Sequence, residues 1–165
     1  MIADKVNANI KELAWMLGKW VGKNGKGVYP TIKPFKYNET LEITEMGQPN
    51  FHYNSVTHNA ENGNVMHREC GFVRLSPDKS TISLIIAQNS GIVTIEEGKI
   101  TNEKSLTFLS KDLGRISYAK EPFVTKVKRV FTLIDDKKLS QQMWMSTTKT
   151  AELTEHLNIV YERQA

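Results

Sequence analysis

The amino-acid sequence predicts an all-β fold, a ten-stranded antiparallel β-barrel preceded by a short N-terminal helix. Three observations carry this expectation. From Trp20 onward apolar residues recur mostly with period two, the spacing of strands that bury one face. The runs are rich in Val, Ile, Thr, Tyr and Phe, residues that fit a pleated surface. Turn-forming clusters interrupt them about every 8–14 residues, a rhythm of sandwiches and barrels rather than of alternating strands and helices.

The first twenty residues follow a different rule. Val6, Ile10, Leu13 and Leu17 recur at helical spacing and form one apolar face. A helix is expected over about 5–17, with Asp4 as its cap and Gly18 at its stop. Its role is to plug an apolar opening. The stretch Gly22-Lys23-Asn24-Gly25-Lys26-Gly27 superficially suggests a phosphate cradle. It leads into strand-like sequence, so the helix N-terminus that such a cradle needs is missing, and it fits a strongly curved strand better. Further strands are expected in 35–43, 51–56, 81–87, 92–95, 124–134 and 139–147. Between them lie turn signals such as Gly47-Gln48-Pro49, Asn62-Gly63, Ser76-Pro77-Asp78, Glu97-Gly98 and Asp135-Asp136. Ten strands closed into a barrel leave more interior than eight, which makes room for a ligand. A two-sheet sandwich satisfies the same periodicity. With no repeat, low-complexity tract or linker, residues 1–165 are expected to form one domain, the barrel spanning about 18–163.

Composition narrows the function. Lys and Arg number 22 against 18 Asp and Glu, a net charge of +4. Groups such as Lys126, Lys128 and Arg129 alternate with acids elsewhere and are expected on solvated faces. No dedicated nucleic-acid module and no nucleic-acid partner is therefore expected. No segment nears the roughly 18 apolar residues of a membrane span, and no secretory signal is visible. A cytoplasmic setting is expected, with a nuclear one also compatible. The single cysteine, Cys70, excludes an internal disulfide and a cysteine-rich zinc site. It is expected to be a packed free thiol.

Catalytic signatures are absent: no Walker loop, nucleophile elbow or zinc-protease helix motif occurs. The four histidines, His52, His58, His67 and His156, are far apart in sequence and form no evident chelating pair. One histidine nevertheless suffices to hold haem, because the porphyrin supplies the other four equatorial ligands.

An ordered series of motifs gives a sharper reading. It begins with Leu17-Gly18-Lys19-Trp20-Val21-Gly22 and Gly25-Lys26-Gly27-Val28-Tyr29-Pro30-Thr31. It continues with Met66-His67-Arg68-Glu69-Cys70-Gly71-Phe72, Ala87-Gln88-Asn89-Ser90-Gly91, Ala119-Lys120-Glu121-Pro122 and Met145-Ser146-Thr147-Thr148, and ends in Glu155-His156-Leu157. Nearly the whole chain thereby resembles the nitrobindins, most of all their animal branch. The resemblance implies a fatty-acid-binding-protein-like barrel of ten antiparallel strands with one haem b per chain. It implies that His156 is the axial iron ligand, that Thr31 lies against the haem, and that Met66, His67, Gln88 and Met145 line the cavity. It further implies a haem-dependent peroxynitrite isomerase, which forms nitrate at ferric iron and binds nitric oxide at ferrous iron. Its partners are then these small molecules, with no protein partner indicated. A carrier of a fatty acid or another apolar ligand, and a nitric oxide sensor module, are the alternatives. One departure is Asn24, which stands where the stricter bacterial and plant motif has a glycine.

Periodicity alone points His156 the wrong way. In a regular last strand, Leu153, Leu157, Ile159 and Tyr161 share the inward face, leaving His156 outside with Thr154 and Asn158. A bulge, or a strand end at the barrel mouth, would be needed to turn it inward.

Overall fold

A computed structural model describes residues 6–165. The ten strands are β1 (Gly18–Tyr29), β2 (Ile32–Glu45), β3 (Asn50–Asn59), β4 (Val65–Leu75), β5 (Ile82–Gln88), β6 (Ile92–Asn102), β7 (Ser105–Arg115), β8 (Val124–Asp135), β9 (Lys138–Thr147) and β10 (Thr150–Arg163). Each pairs antiparallel with its sequence neighbours, and β1 pairs with β10 to close the ring. Closure, rather than two stacked sheets, removes every free edge.

The glycine-rich stretch is strand, as its sequence context suggests. Register shifts between Gly22 and Gly25 against β2, and between Gly22 and Lys26 against β10, mark a bulge. Asn24 occupies it at φ 55°, a left-handed conformation that Asn tolerates better than most residues. Its freed backbone N–H is satisfied by Asn38 Oδ1 at 2.9 Å. Asn24 thus does a glycine's work at the point where the motif departs from its stricter form. At Gly27 the lack of a side chain matters differently, since a methyl group there would overlap the Phe35 ring.

The N-terminal plug is shorter and tighter than the helix expected over 5–17. It is a 3₁₀ helix over Lys11–Met16, and the expected Asp4 cap lies outside the described residues. Leu13 N–H donates to Ile10 at 3.0 Å and Leu17 N–H to Ala14 at 3.1 Å, the three-residue pattern of this helix. Three residues per turn align Ile10, Leu13 and Met16, and all three are fully buried. They join one core cluster with Trp20, Phe51 and Tyr161 at the closed end of the barrel.

Trp20 anchors that end. Its indole N–H donates to Met16 O at 2.9 Å, and the Arg163 guanidinium lies 4.0 Å above its ring. Arg163 also donates to the backbone carbonyls of Leu17 and Trp15. The end of β10 is thereby tied to the plug and the start of β1. Cys70 departs from expectation: it is free but exposed, because the alternation that buries Glu69 and Val73 turns it outward. Truncating Trp20 to Ala removes a fully buried ring and should cost about 3–5 kcal/mol, read from the midpoint shift in urea denaturation.

Candidate functional site

A cavity of about 410 Å³ opens at the end of the barrel away from the plug. Its apolar wall includes Phe35, Met66, Val127, Met143, Met145 and Leu157. A second, acidic and basic set reaches the same space: Glu39, Glu69, Arg129 and the two histidines His67 and His156.

His156 enters the cavity by way of a bulge. On β10, Glu155 pairs with Trp144 and Leu157 with Met143, so two steps on β10 oppose one on β9. His156 is the extra residue. The bulge breaks the alternation, and His156 and Leu157 both line the cavity. Leu153, inward by strict alternation, is exposed instead.

The setting of His156 defines its chemistry. Nδ1 lies 3.1 Å from the carbonyl oxygen of Val28. A carbonyl only accepts, so Nδ1 carries the hydrogen and Nε2 keeps the lone pair. Burial pushes the ring's pKa below its ordinary value, opposed by the Val28 bond and reinforced by repulsion from His67 whenever that ring is protonated. The imidazole is therefore neutral at neutral pH. Tyr29 and Phe35 meet the ring edge-on, with centroids 5.5 and 6.3 Å away. Tyr29 is itself fixed by its hydroxyl donating to Met145 O at 3.2 Å. The bare backbone of Gly27 leaves the space that Phe35 fills.

Deeper in the cavity is a buried charge cluster. Arg129, 1% exposed, is far from the solvated face expected for it. It sits inward in the run Val127-Arg129-Phe131-Leu133, in phase with the core. Its Nη1 and Nη2 donate to the two oxygens of Glu69 at 3.0 and 3.1 Å. Its Nε donates to Glu96 Oε2 at 3.2 Å. Burial opposes the charge of Glu69, but Arg129 and then His67 overcome it and hold this carboxyl well below the usual range. Burial likewise opposes the Arg129 charge, and Glu69 and Glu96 hold it ionised. Glu39 has no such cation to itself. Burial, and next the charge of Glu69, push its pKa up from 4.5 to about 7, while Arg129 and the hydroxyls of Tyr161 and Ser55 pull the other way.

Of the residues singled out in the sequence, Met66, His67, Gln88, Met145 and His156 come together around this cavity. Thr31 does not join them: it is exposed in the two-residue turn between paired Tyr29 and Ile32, and Ile32 takes the lining position. Sequence reasoning missed Val28, Tyr29, Phe35, Glu39, Glu69, Glu96 and Arg129. A signal existed for Arg129 and Glu39, charges that fall in step with buried apolar neighbours on β8 and β2. Among the described residues no cluster of His, Cys, Asp or Glu could hold a bare metal ion. None of their helices is long and apolar enough to cross a membrane.

A closed ten-stranded barrel with an apolar cavity and one tautomer-fixed neutral imidazole defines a class: barrels that enclose a small ligand or prosthetic group. Within that class the chain belongs to the THAP4-like, heme-binding beta-barrel domain family, whose model matches residues 9–163. The chain is similar to "Peroxynitrite isomerase THAP4" of Homo sapiens, with 43% identity over 162 residues, covering 96% of this chain and 27% of that protein. It thus spans about a quarter of the length of such mammalian relatives. It is 36% identical to "Peroxynitrite isomerase Rv2717c" of Arabidopsis thaliana, covering 96% of this chain and 90% of that one. The crystal structure of Rv2717c from M. tuberculosis superposes with a TM-score of 0.85 at 29% identity, covering 97% of this chain and 99% of that chain.

The Glu39 carboxyl makes stability depend on pH. Between its ordinary value of 4.5 and its folded value of about 7, the folded protein binds more protons than the unfolded chain, so stability falls as pH rises through this window. The full loss is on the order of 3 kcal/mol. Glu39→Gln should melt higher than wild type at pH 8, with the gap closing toward pH 5, as followed by thermal denaturation.

Proposed function

We propose that this chain binds one haem b through His156 and acts on reactive nitrogen species, isomerising peroxynitrite to nitrate with ferric haem and binding nitric oxide with ferrous haem. The observation that carries the proposal is the imidazole whose Nδ1–H is committed to Val28 O. Histidines that bind metals are commonly fixed this way, the outer hydrogen bond setting the tautomer and raising ligand basicity. Burial keeps the ring neutral, the form that can donate a lone pair to iron. The predominantly apolar wall suits a macrocycle, and the names of the relatives support the reaction.

Haem bound here would be held by His156 and would supply a Lewis-acidic iron able to take a small anionic ligand. The chain's own residues do the rest. Val28 and the aromatic rings of Tyr29 and Phe35 hold the imidazole in place. Met143, Met145 and Leu157 give the reacting space an apolar wall that limits water, with Met66 at its exposed rim. No acid–base pair is required by an isomerisation without net proton change.

A fatty-acid carrier fits less well. The buried arginine of the cavity already faces two carboxylates, leaving no free lysine or arginine for a third among the described residues that line it. Residues 1–165 acting as one nitrobindin-like unit, in a cytoplasmic or nuclear setting, belong to the same proposal. The exposed free thiol of Cys70 suits a reducing compartment.

The test is the fate of peroxynitrite mixed with ferric, haem-loaded protein. Faster decay and a higher nitrate yield than with the same concentration of free haemin are expected, and His156→Ala should lose the advantage over haemin. Equal rates and yields for wild type and haemin would refute the proposal.

A further inference from the structure

Resting on the haem reading above, we infer that Glu69 and Arg129 are positioning residues that fix the tautomer of His67 and present its Nδ1 to a small ligand in the cavity. His67 is on β4 and His156 on β10. Around the ring these strands are separated by β1, β2 and β3 on one side and by β9 through β5 on the other. The two imidazoles thus approach one cavity from different walls.

The tautomer follows from the partners. His67 Nε2 lies 3.3 Å from Glu69 Oε1. An ionised carboxylate can only accept, so Nε2 carries a hydrogen. Nδ1 is then the nitrogen left for a ligand. The side chain is 33% exposed and lines the cavity, whereas Glu69 is 5% exposed. Glu69 cannot swing away: Arg129 grips both of its oxygens, and the Tyr53 hydroxyl donates to Oε2 at 3.1 Å. Arg129 is in turn held by Glu96, whose Oε1 accepts from the Thr94 hydroxyl at 3.0 Å. The chain His67–Glu69–Arg129–Glu96–Thr94 spans β4, β8 and β6. Only its first member is substantially exposed.

Charge balance gives the arrangement a direction. Two carboxylates against one guanidinium leave one negative charge in excess on the Glu69–Arg129–Glu96 cluster. A ligand arriving as its conjugate acid can transfer its proton to Nδ1. The proton is the only thing that moves, no electrons are exchanged, and the resulting imidazolium lies against the excess charge. The ligand, now an anion, accepts a hydrogen bond from the same nitrogen. A carboxylate that orients an imidazole and stabilises its cation is a general device for proton handling. The carboxylate here is additionally locked by an arginine.

Two measurements test this independently. The first uses haem-free protein and ¹⁵N NMR of the His67 ring. Wild type should show the Nε2–H tautomer. Glu69→Gln should mix tautomers, because one amide oxygen then serves His67, Arg129 and Tyr53 together. A wild-type Nδ1–H tautomer, or nitrogen shifts that Glu69→Gln leaves unchanged, would overturn the inference. The second uses azide as the probe anion on ferric, haem-loaded protein. His67→Phe leaves the buried ion pairs intact and should weaken azide binding about tenfold, the scale of one charge-assisted hydrogen bond. Unchanged azide affinity overturns the inference even if Glu69→Gln fails to fold. Failure of wild type to take up haem would instead refute the haem reading, and the NMR result would still decide the tautomer.

Discussion

The seam between β1 and β10 is the constraint on which the site depends. A barrel closes only if its first and last strands meet in a definite register, and here each contributes a bulge near the meeting line. The bulge at Asn24 bends β1, and the bulge at Glu155–Leu157 turns His156 inward. The histidine then bonds Val28 across the seam. Closure and tautomer selection are one event: if β10 slipped by one residue against β1, the imidazole would lose both its direction and its partner. At the other end Arg163 ties β10 to the plug beneath Trp20.

The interior combines two opposed environments. Around His156 the walls are aromatic and aliphatic, and neutrality of the ring is maintained by burial. Further in, Arg129 is paired with Glu69 and Glu96 with almost no exposure. A buried ion pair carries a desolvation penalty that hydrophobic packing would avoid, so stability alone gives little reason for it. Its consequences are chemical. It occupies the cavity's arginine, which disfavours ligands with carboxylate heads, and the charge of Glu69 adds to the burial that suppresses ionisation of Glu39, against the pull of Arg129. The rigid cluster also couples distant strands, since its members come from β4, β6 and β8.

Much of the fold was legible in the sequence because its signals are local. Period two, β-branched composition and turn clusters give strands, and the number of strands gives a cavity. The plug was misread in length because its apolar spacing suits a 3₁₀ turn as well as an α-helix, and the i→i+3 bonds decide between them. The site was less legible because its determinants are non-local. His156 faces outward by alternation and inward only through a bulge that no residue type announces. The family resemblance, not the period, supplied its direction. Arg129 hid among Lys126 and Lys128, although it shares the phase of Val127, Phe131 and Leu133. That Glu69 and Glu96 would both reach it depends on the register of strands far apart in sequence. Cys70 falls one residue out of that phase and is exposed.

The central claim is that the seam delivers a neutral imidazole with its Nε2 free to bind iron. Resonance Raman spectroscopy of the ferrous, haem-loaded protein addresses it directly. The account predicts an iron–imidazole stretching band in wild type that is absent in His156→Ala. A wild-type spectrum without that band, or its persistence in His156→Ala, would contradict it.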